Sequence, residues 1–157
     1  MRVNDITSYT EEKYKATKST LKSLSEMSGK YYNGVDGVHN LEELKRTFMA
    51  TLEYLATQYA EVRGYKSSTH VYLEEQRKRL KAESVEKMMA EQGLKRTIAE
   101  NSVYAYQYYK DGVDLIEELK KFFLRVELLY DHYSRVLDAI IQSISIASKD
   151  FYQNKNS

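Results

Sequence analysis

Apolar positions recur at steps of three and four along most of the chain, which is the pattern of amphipathic α-helices. The first such segment covers residues 9–28. Ser8 and Glu11 have the spacing of a capping box at its start, and Gly29 is placed to end it. We therefore predict a first helix over residues 9–28.

A glycine-rich stretch separates this helix from the next one. Residues 29–37 contain an Asn-Gly pair at Asn33 and an Asp-Gly pair at Asp36, and both pairs favour a positive φ at the glycine. The pattern predicts a loop here, so that residues 1–38 form one segment of helix and loop.

The second helical pattern occupies residues 39–93. An Asn-x-x-Glu start at Asn40 opens it, and one apolar stripe follows. The stripe thins after Gly64, but strong helix formers continue, and one internal glycine costs a helix only about 1 kcal/mol. We predict a long central helix, kinked at residues 64–68 and ended by Gly93.

The third pattern, in residues 94–157, is the most regular. Apolar residues follow a heptad row that only Gly112 interrupts, and we predict a long helix from Val103 to about Asp150. A second apolar row beside the first makes the face wider than one partner helix can cover. The first row contains the residues that we predict to join copies of the chain, namely Phe123, Val126, Tyr130, Tyr133, Leu137, Ile140 and Ile144.

These patterns predict an all-α fold in a single domain of residues 1–157. We expect an elongated antiparallel hairpin of two long helices plus the N-terminal helix. Because the N-terminal helix is too short to cover the wide apolar face, we also expect a homo-oligomer. A compact bundle with folded-back helices is the alternative.

Composition narrows the class of protein. The 157 residues include no cysteine, which excludes disulfides, thiolate metal sites and a cysteine nucleophile. A net charge of +1 means that any attraction to an anion must come from local clustering. The start lacks the apolar core of a secretory signal, and no run approaches the roughly 20 apolar residues of a membrane span, so we expect a cytoplasmic protein without a membrane partner.

The signatures of common enzyme classes are absent from the sequence. There is no glycine-rich nucleotide loop, His-Glu-x-x-His, calcium loop or Gly-x-Ser-x-Gly, and the three histidines are far apart. We expect no catalytic residue, no metal and no cofactor.

The segment from Arg77 to Arg96 is locally basic. It holds seven basic and three acidic residues, and on a helix Arg77 and Lys81 stack one turn apart with Lys78 beside them. Such a cationic strip can follow a phosphate backbone, although an ordinary solvated helix face has the same pattern. The basic residues are Arg77, Lys78, Arg79, Lys81, Lys87, Lys95 and Arg96.

Tyrosines follow the basic segment closely. Tyr104 and Tyr108 share one helical face, and exposed aromatics beside basic residues can stack on unpaired bases. Tyrosines at these spacings also line helix or subunit interfaces. We include Tyr104 and Tyr108 in a predicted nucleic-acid site with the seven basic residues.

The C-terminal residues 128–150 resemble the end of the UvsY family, the recombination mediators of T-even-type phages. They contain Leu-Leu at 128 and Leu-Asp-Ala-Ile from Leu137, then continue through Ser and Ile to Lys149. Residues 54–93 are similar to the central helices of that family, with Leu80-Lys-Ala matching a basic run in which Glu83 replaces an arginine.

The resemblance implies an all-helical protein that assembles through its C-terminal helices. It further implies binding of single-stranded DNA, with a recombinase and a single-strand-binding protein as partners. A competing hypothesis is a protein-interaction module, such as a helical substrate or partner of a bacterial secretion system, because Tyr32-Asn-Gly34 resembles the Trp-x-Gly turn of such proteins.

Overall fold

The prediction of an all-α fold is confirmed. A computed structural model of the chain describes residues 3–63 and 69–156, and those residues form helices and short connections without a strand. The elements are α1 (Val3–Tyr32), α2 (Val38–Arg63), α3 (Thr69–Gln92), α4 (Arg96–Ser102), a 3₁₀ turn (Val103–Ala105) and α5 (Gln107–Lys155).

The first helix is longer at both ends than the sequence indicated. Ser8 lies inside α1, so it does not cap the helix, and Gly29 does not end it. An internal glycine weakens a helix by only about 1 kcal/mol, so one glycine is a poor stop signal. The helix ends instead before Gly34, whose φ of 104° is the left-handed conformation common after helices.

The glycine-rich loop is therefore shorter than predicted. It covers residues 33–37, and both of its glycines have a positive φ, as predicted, at 104° for Gly34 and 85° for Gly37. The next helix starts at Val38, so Asn40 lies in its first turn, where its side-chain Nδ2 donates a hydrogen bond to the Asp36 carbonyl at 2.8 Å. The predicted kink at residues 64–68 lies outside the described residues.

The connection to the C-terminal helix also differs from the prediction. Gly93 ends α3 with a φ of 65°, as expected, but the long helix starts at Gln107 and not at Val103. The intervening α4 and 3₁₀ turn bury Ala99 and Val103 in a small cluster with Val85 and Met88 of α3. Burial of this cluster accounts for the extra turn, which a heptad count cannot detect.

The chain groups into two compact units. The first unit comprises Met1–Lys13 and Ala60–Arg125, and the second comprises Tyr14–Tyr59 and Val126–Ser157. Helix α5 contributes residues to both units.

The second unit has an apolar core with a few buried polar groups. Leu24 of α1, Phe48 and Leu55 of α2 and Ile140 of α5 are fully buried. The rings of Phe48 and Tyr133 meet edge to face, with centroids 6.2 Å apart.

In the first unit, α3 packs against the first part of α5 in the opposite direction. Tyr72 near the start of α3 meets Phe123, with ring centroids 5.7 Å apart, whereas Leu80 further along meets Gly112. A Cβ on Gly112 would lie 2.4 Å from Leu80 Cδ1. The residue that interrupts the heptad row therefore allows close helix packing.

Candidate nucleic-acid interface

The seven predicted cationic residues all lie in the first unit, along α3 and at the start of α4. They fall into two groups. Arg77, Lys81 and Lys87 contact other side chains of the unit. Four exposed cations, which we call the outer cations, have no ion pair within the described residues. They are Lys78, Arg79, Lys95 and Arg96.

Arg77 is engaged within the first unit. Its guanidinium forms an ion pair with Glu117 of α5, and its Nε is buried. Lys81 reaches Tyr104, so Arg77 and Lys81 do not form the continuous solvent-facing strip with Lys78 that their helical spacing indicated. The partner acid is 40 residues away in the sequence, and no local pattern identifies it.

Lys81 and Tyr104, two predicted site residues, are in direct contact. The ammonium of Lys81 donates a hydrogen bond to the Tyr104 hydroxyl at 3.2 Å and lies 5.3 Å from the centre of the ring. This hydrogen bond raises the pKa of Lys81 above its ordinary value, because it stabilises the charged ammonium. Tyr104 itself is 60% exposed and meets Tyr109 edge to face.

Lys87 and Tyr108 form a second pair with a different geometry. The Lys87 ammonium lies 4.2 Å from the ring centre of Tyr108, a cation–π contact, and 3.9 Å from a Glu91 carboxylate oxygen. The Tyr108 hydroxyl donates a hydrogen bond to Glu83 at 2.7 Å. Tyr108 is only partly exposed, because its ring contacts α3 side chains where α3 and α5 meet.

Tyr106 was not predicted as a site residue. It also links the end of the 3₁₀ turn to α3. Its hydroxyl donates a hydrogen bond to Glu91 at 2.7 Å. Burial, together with this hydrogen bond, raises the pKa of Tyr106. Tyr104, Tyr106 and Tyr108 therefore each attach the segment after α4 to a charged residue of α3.

The outer cations lie on α3 and at the start of α4. Lys78 and Arg79 lie within one turn of Lys81, which contacts Tyr104. Lys95 is the N-cap residue of α4 and Arg96 its first residue, and both side chains are exposed. The unit thus presents long cationic side chains and one exposed aromatic ring on α3, α4 and the 3₁₀ turn.

The residues predicted to join copies of the chain are mostly buried within it. Five of the seven are buried, whereas Leu137 is half-buried and Tyr130 is 37% exposed. A heptad row marks burial but does not distinguish packing within a chain from packing between chains. The buried residues are Phe123, Val126, Tyr133, Ile140 and Ile144.

The later part of α5 nevertheless exposes large apolar side chains beyond the seven residues predicted to join copies. Leu128, Ile141, Ile146, Phe151 and Tyr152 are all exposed. Sequence reasoning did not single out these residues as a group, because four of them lie outside the heptad row and Phe151 is its last member. None of the helices in residues 3–63 and 69–156 contains an apolar stretch of the length needed to span a bilayer.

Comparison with protein-family models, curated proteins and solved structures finds no match to this chain.

Proposed function

We propose that the chain binds single-stranded DNA through the first unit, by electrostatic capture without bond chemistry. The observation that carries the proposal is the set of four outer cations, exposed and without ion pairs in the described residues, in the same unit as the exposed Tyr104. Lysine and arginine side chains that neutralise phosphates release counterions, which drives binding of a polyanion.

The proposal extends to a homo-oligomer that acts as a recombination mediator. Several copies would multiply a modest cationic surface into a strong site, although each chain has a net charge of only +1. The exposed apolar side chains of α5 support self-association. The UvsY resemblance supports the mediator role, in which a recombinase and a single-strand-binding protein are partners. In this proposal the two long helical regions form the predicted elongated hairpin.

A protein-interaction module is the second candidate function, and the same exposed side chains of α5 favour it. Leu128 is 70% exposed and Tyr152 is 67% exposed, which is typical of residues that dock another protein. A module of this kind has no affinity for an oligonucleotide, so a binding measurement separates the two candidates.

The test is a fluorescence-anisotropy titration with a labelled single-stranded oligonucleotide at about 50 mM and 200 mM salt. We expect affinity to fall steeply with salt, and we expect the Lys78→Ala, Arg79→Ala, Lys95→Ala, Arg96→Ala variant to show a weaker dependence. Four lost phosphate contacts reduce the slope of log K against log salt by about 3.

A matched control removes the same charge from the second unit. Lys22, Arg46, Arg135 and Lys149 are two lysines and two arginines with exposed side chains. Their replacement with Ala leaves the salt slope at its wild-type value if the site is in the first unit. The proposal would be contradicted if the two variants lost the same amount of salt slope, or if the wild type did not bind the oligonucleotide.

A further inference from the structure

Tyr104 and Tyr108 share a helical spacing in the sequence, but the structure gives them different surroundings. Tyr108 has Lys87 against its ring, Glu83 on its hydroxyl and Tyr106 beside it at 6.2 Å between centroids. A base that stacked on Tyr108 would have to displace the lysine. Tyr108 therefore serves to hold α3 and α5 together.

Tyr104 has an exposed ring surface, which Tyr108 lacks. Its ring is 60% exposed, and the Lys81 ammonium lies 3.2 Å from the hydroxyl but 5.3 Å from the ring centre, so the cation sits toward the hydroxyl end of the ring. Tyr109 supports the ring through a contact at 88° between planes. Two neighbours thus fix the orientation of an otherwise open aromatic surface.

We propose that Tyr104 is a subsite for one unpaired nucleobase, with Lys81 as its positioning residue. The base stacks on the exposed surface of the Tyr104 ring, while the outer cation Lys78, three residues before Lys81 on the same side of α3, takes a flanking phosphate. A base within a duplex is already stacked on both faces, so the subsite accepts unpaired strands. The subsite rests on the proposed function and adds to it the part of the ligand that Tyr104 recognises.

The first experiment compares a labelled oligothymidine with an abasic strand of the same length, which has the same phosphates and no bases. For the wild type we expect the oligothymidine to bind about 5- to 150-fold more tightly, which corresponds to one stacked base. Tyr104→Leu brings this ratio close to one. Tyr54→Leu, which removes a tyrosine 57% exposed in the second unit, keeps the wild-type ratio.

The ratio also tests the role of Lys81. Lys81→Met removes a charge, which weakens the binding of both strands alike. Only the loss of ring positioning therefore lowers the ratio of the two affinities. Lys81→Arg retains a hydrogen-bond donor for Tyr104 and restores the ratio toward the wild-type value. A ratio that Lys81→Met leaves unchanged would overturn the positioning role.

A spectroscopic readout provides an independent check, since the chain contains no tryptophan. In Tyr104→Trp the indole is the only one in the protein. We expect oligothymidine to quench its fluorescence and the abasic strand to leave it largely unchanged, whereas Tyr54→Trp responds to neither. Comparable quenching of the indole in the Tyr54→Trp and Tyr104→Trp variants would overturn the assignment of the subsite.

The measurements distinguish a wrong assignment of the subsite from a wrong proposed function. If the wild type binds both strands equally and with steep salt dependence, the subsite is wrong and the electrostatic function stands. If the wild type binds neither strand, the function is wrong and the subsite falls with it.

Discussion

The two compact units use α5 in the same way but surround it differently. In both units a row of α5 residues is buried, including Phe123 in the first unit and Ile140 in the second. In the first unit the margins of this packing carry charged and phenolic contacts, such as Arg77 with Glu117 and Tyr108 with Glu83. In the second unit Tyr31 and Tyr59 also make polar contacts with α5, at Ser143 and Glu127, but α5 exposes more large apolar side chains there than in the first unit.

The difference assigns a separate property to each unit. Polar contacts hold the first unit together at its surface and leave the outer cations free to meet an anion. The apolar margin of the second unit is suited to another protein surface or a second copy. If this division is correct, changes on α5 beyond Val126 alter assembly, and changes at the outer cations alter strand binding.

The largest expected effect comes from a pair of neighbouring substitutions that tests this division. Ile140 is 0% exposed and Ile141 is 45% exposed. Ile140→Asp puts a carboxylate into the core of the second unit, and we expect it to lower the free energy of unfolding by about 4 kcal/mol or more. Urea denaturation followed by circular dichroism measures this loss.

Ile141→Asp is the matched variant, with the same change one residue later on the same helix. We expect it to change the free energy of unfolding by no more than about 0.5 kcal/mol, because the new carboxylate remains in water. It should nevertheless reduce the mass measured by light scattering if the exposed margin of α5 joins copies. An unchanged mass for Ile141→Asp, in a wild type that is oligomeric, would place the contact elsewhere.

An intermediate effect is expected where α3 and α5 approach in the first unit. Gly112→Ala improves helix propensity by about 1 kcal/mol, but its Cβ would lie 2.4 Å from Leu80 Cδ1. Leu80 is itself buried and has little room to move, so we expect a net loss of about 1–2 kcal/mol in the free energy of unfolding.

A double-mutant cycle identifies the cause of that loss. With Leu80→Ala in the background, Gly112→Ala should become stabilising by about 1 kcal/mol, because only the gain in helix propensity remains. Additive effects of the two substitutions, measured by denaturant unfolding, would show that the two side-chain positions are not coupled.

Gly112 and Leu80 illustrate how much of the fold the sequence could predict. Heptad spacing identified the buried row of α5, and the Asn-Gly and Asp-Gly pairs identified the positive-φ glycines, because both signals depend on residues close in sequence. The glycine in the row was recognised only as an interruption, since its partner Leu80 lies on a different helix.

Partners distant in sequence also explain the unforeseen parts of the candidate site. Helical spacing placed Arg77, Lys78 and Lys81 together, but which of them is free depends on Glu117 and Tyr104. Likewise, Tyr104 and Tyr108 are equivalent by spacing and are distinguished only by their tertiary contacts, such as that of Tyr108 with Lys87. Local patterns give the face on which a residue lies, and tertiary contacts decide what that residue is available to bind.

The smallest expected effect is that of pH on strand binding in the first unit. The site contains lysines and arginines, and the hydrogen bond from Lys81 to Tyr104 raises the pKa of Lys81 above its ordinary value of 10.5. A group with a raised pKa in the folded state keeps its charge, and its stabilising contact, until the pH rises through that pKa. We therefore expect oligonucleotide affinity to change less than about twofold between pH 6 and pH 9.

A histidine introduced at an outer cation makes this expectation testable, because the site then titrates near neutrality. In Lys78→His, affinity should fall as the pH rises through about 6.5, since the imidazole loses its charge there. In the wild type the exposed cations assigned to the site are lysines and arginines, so its affinity should stay flat over this range. A wild-type affinity that falls over the same pH range would contradict the assignment of the site to lysines and arginines alone.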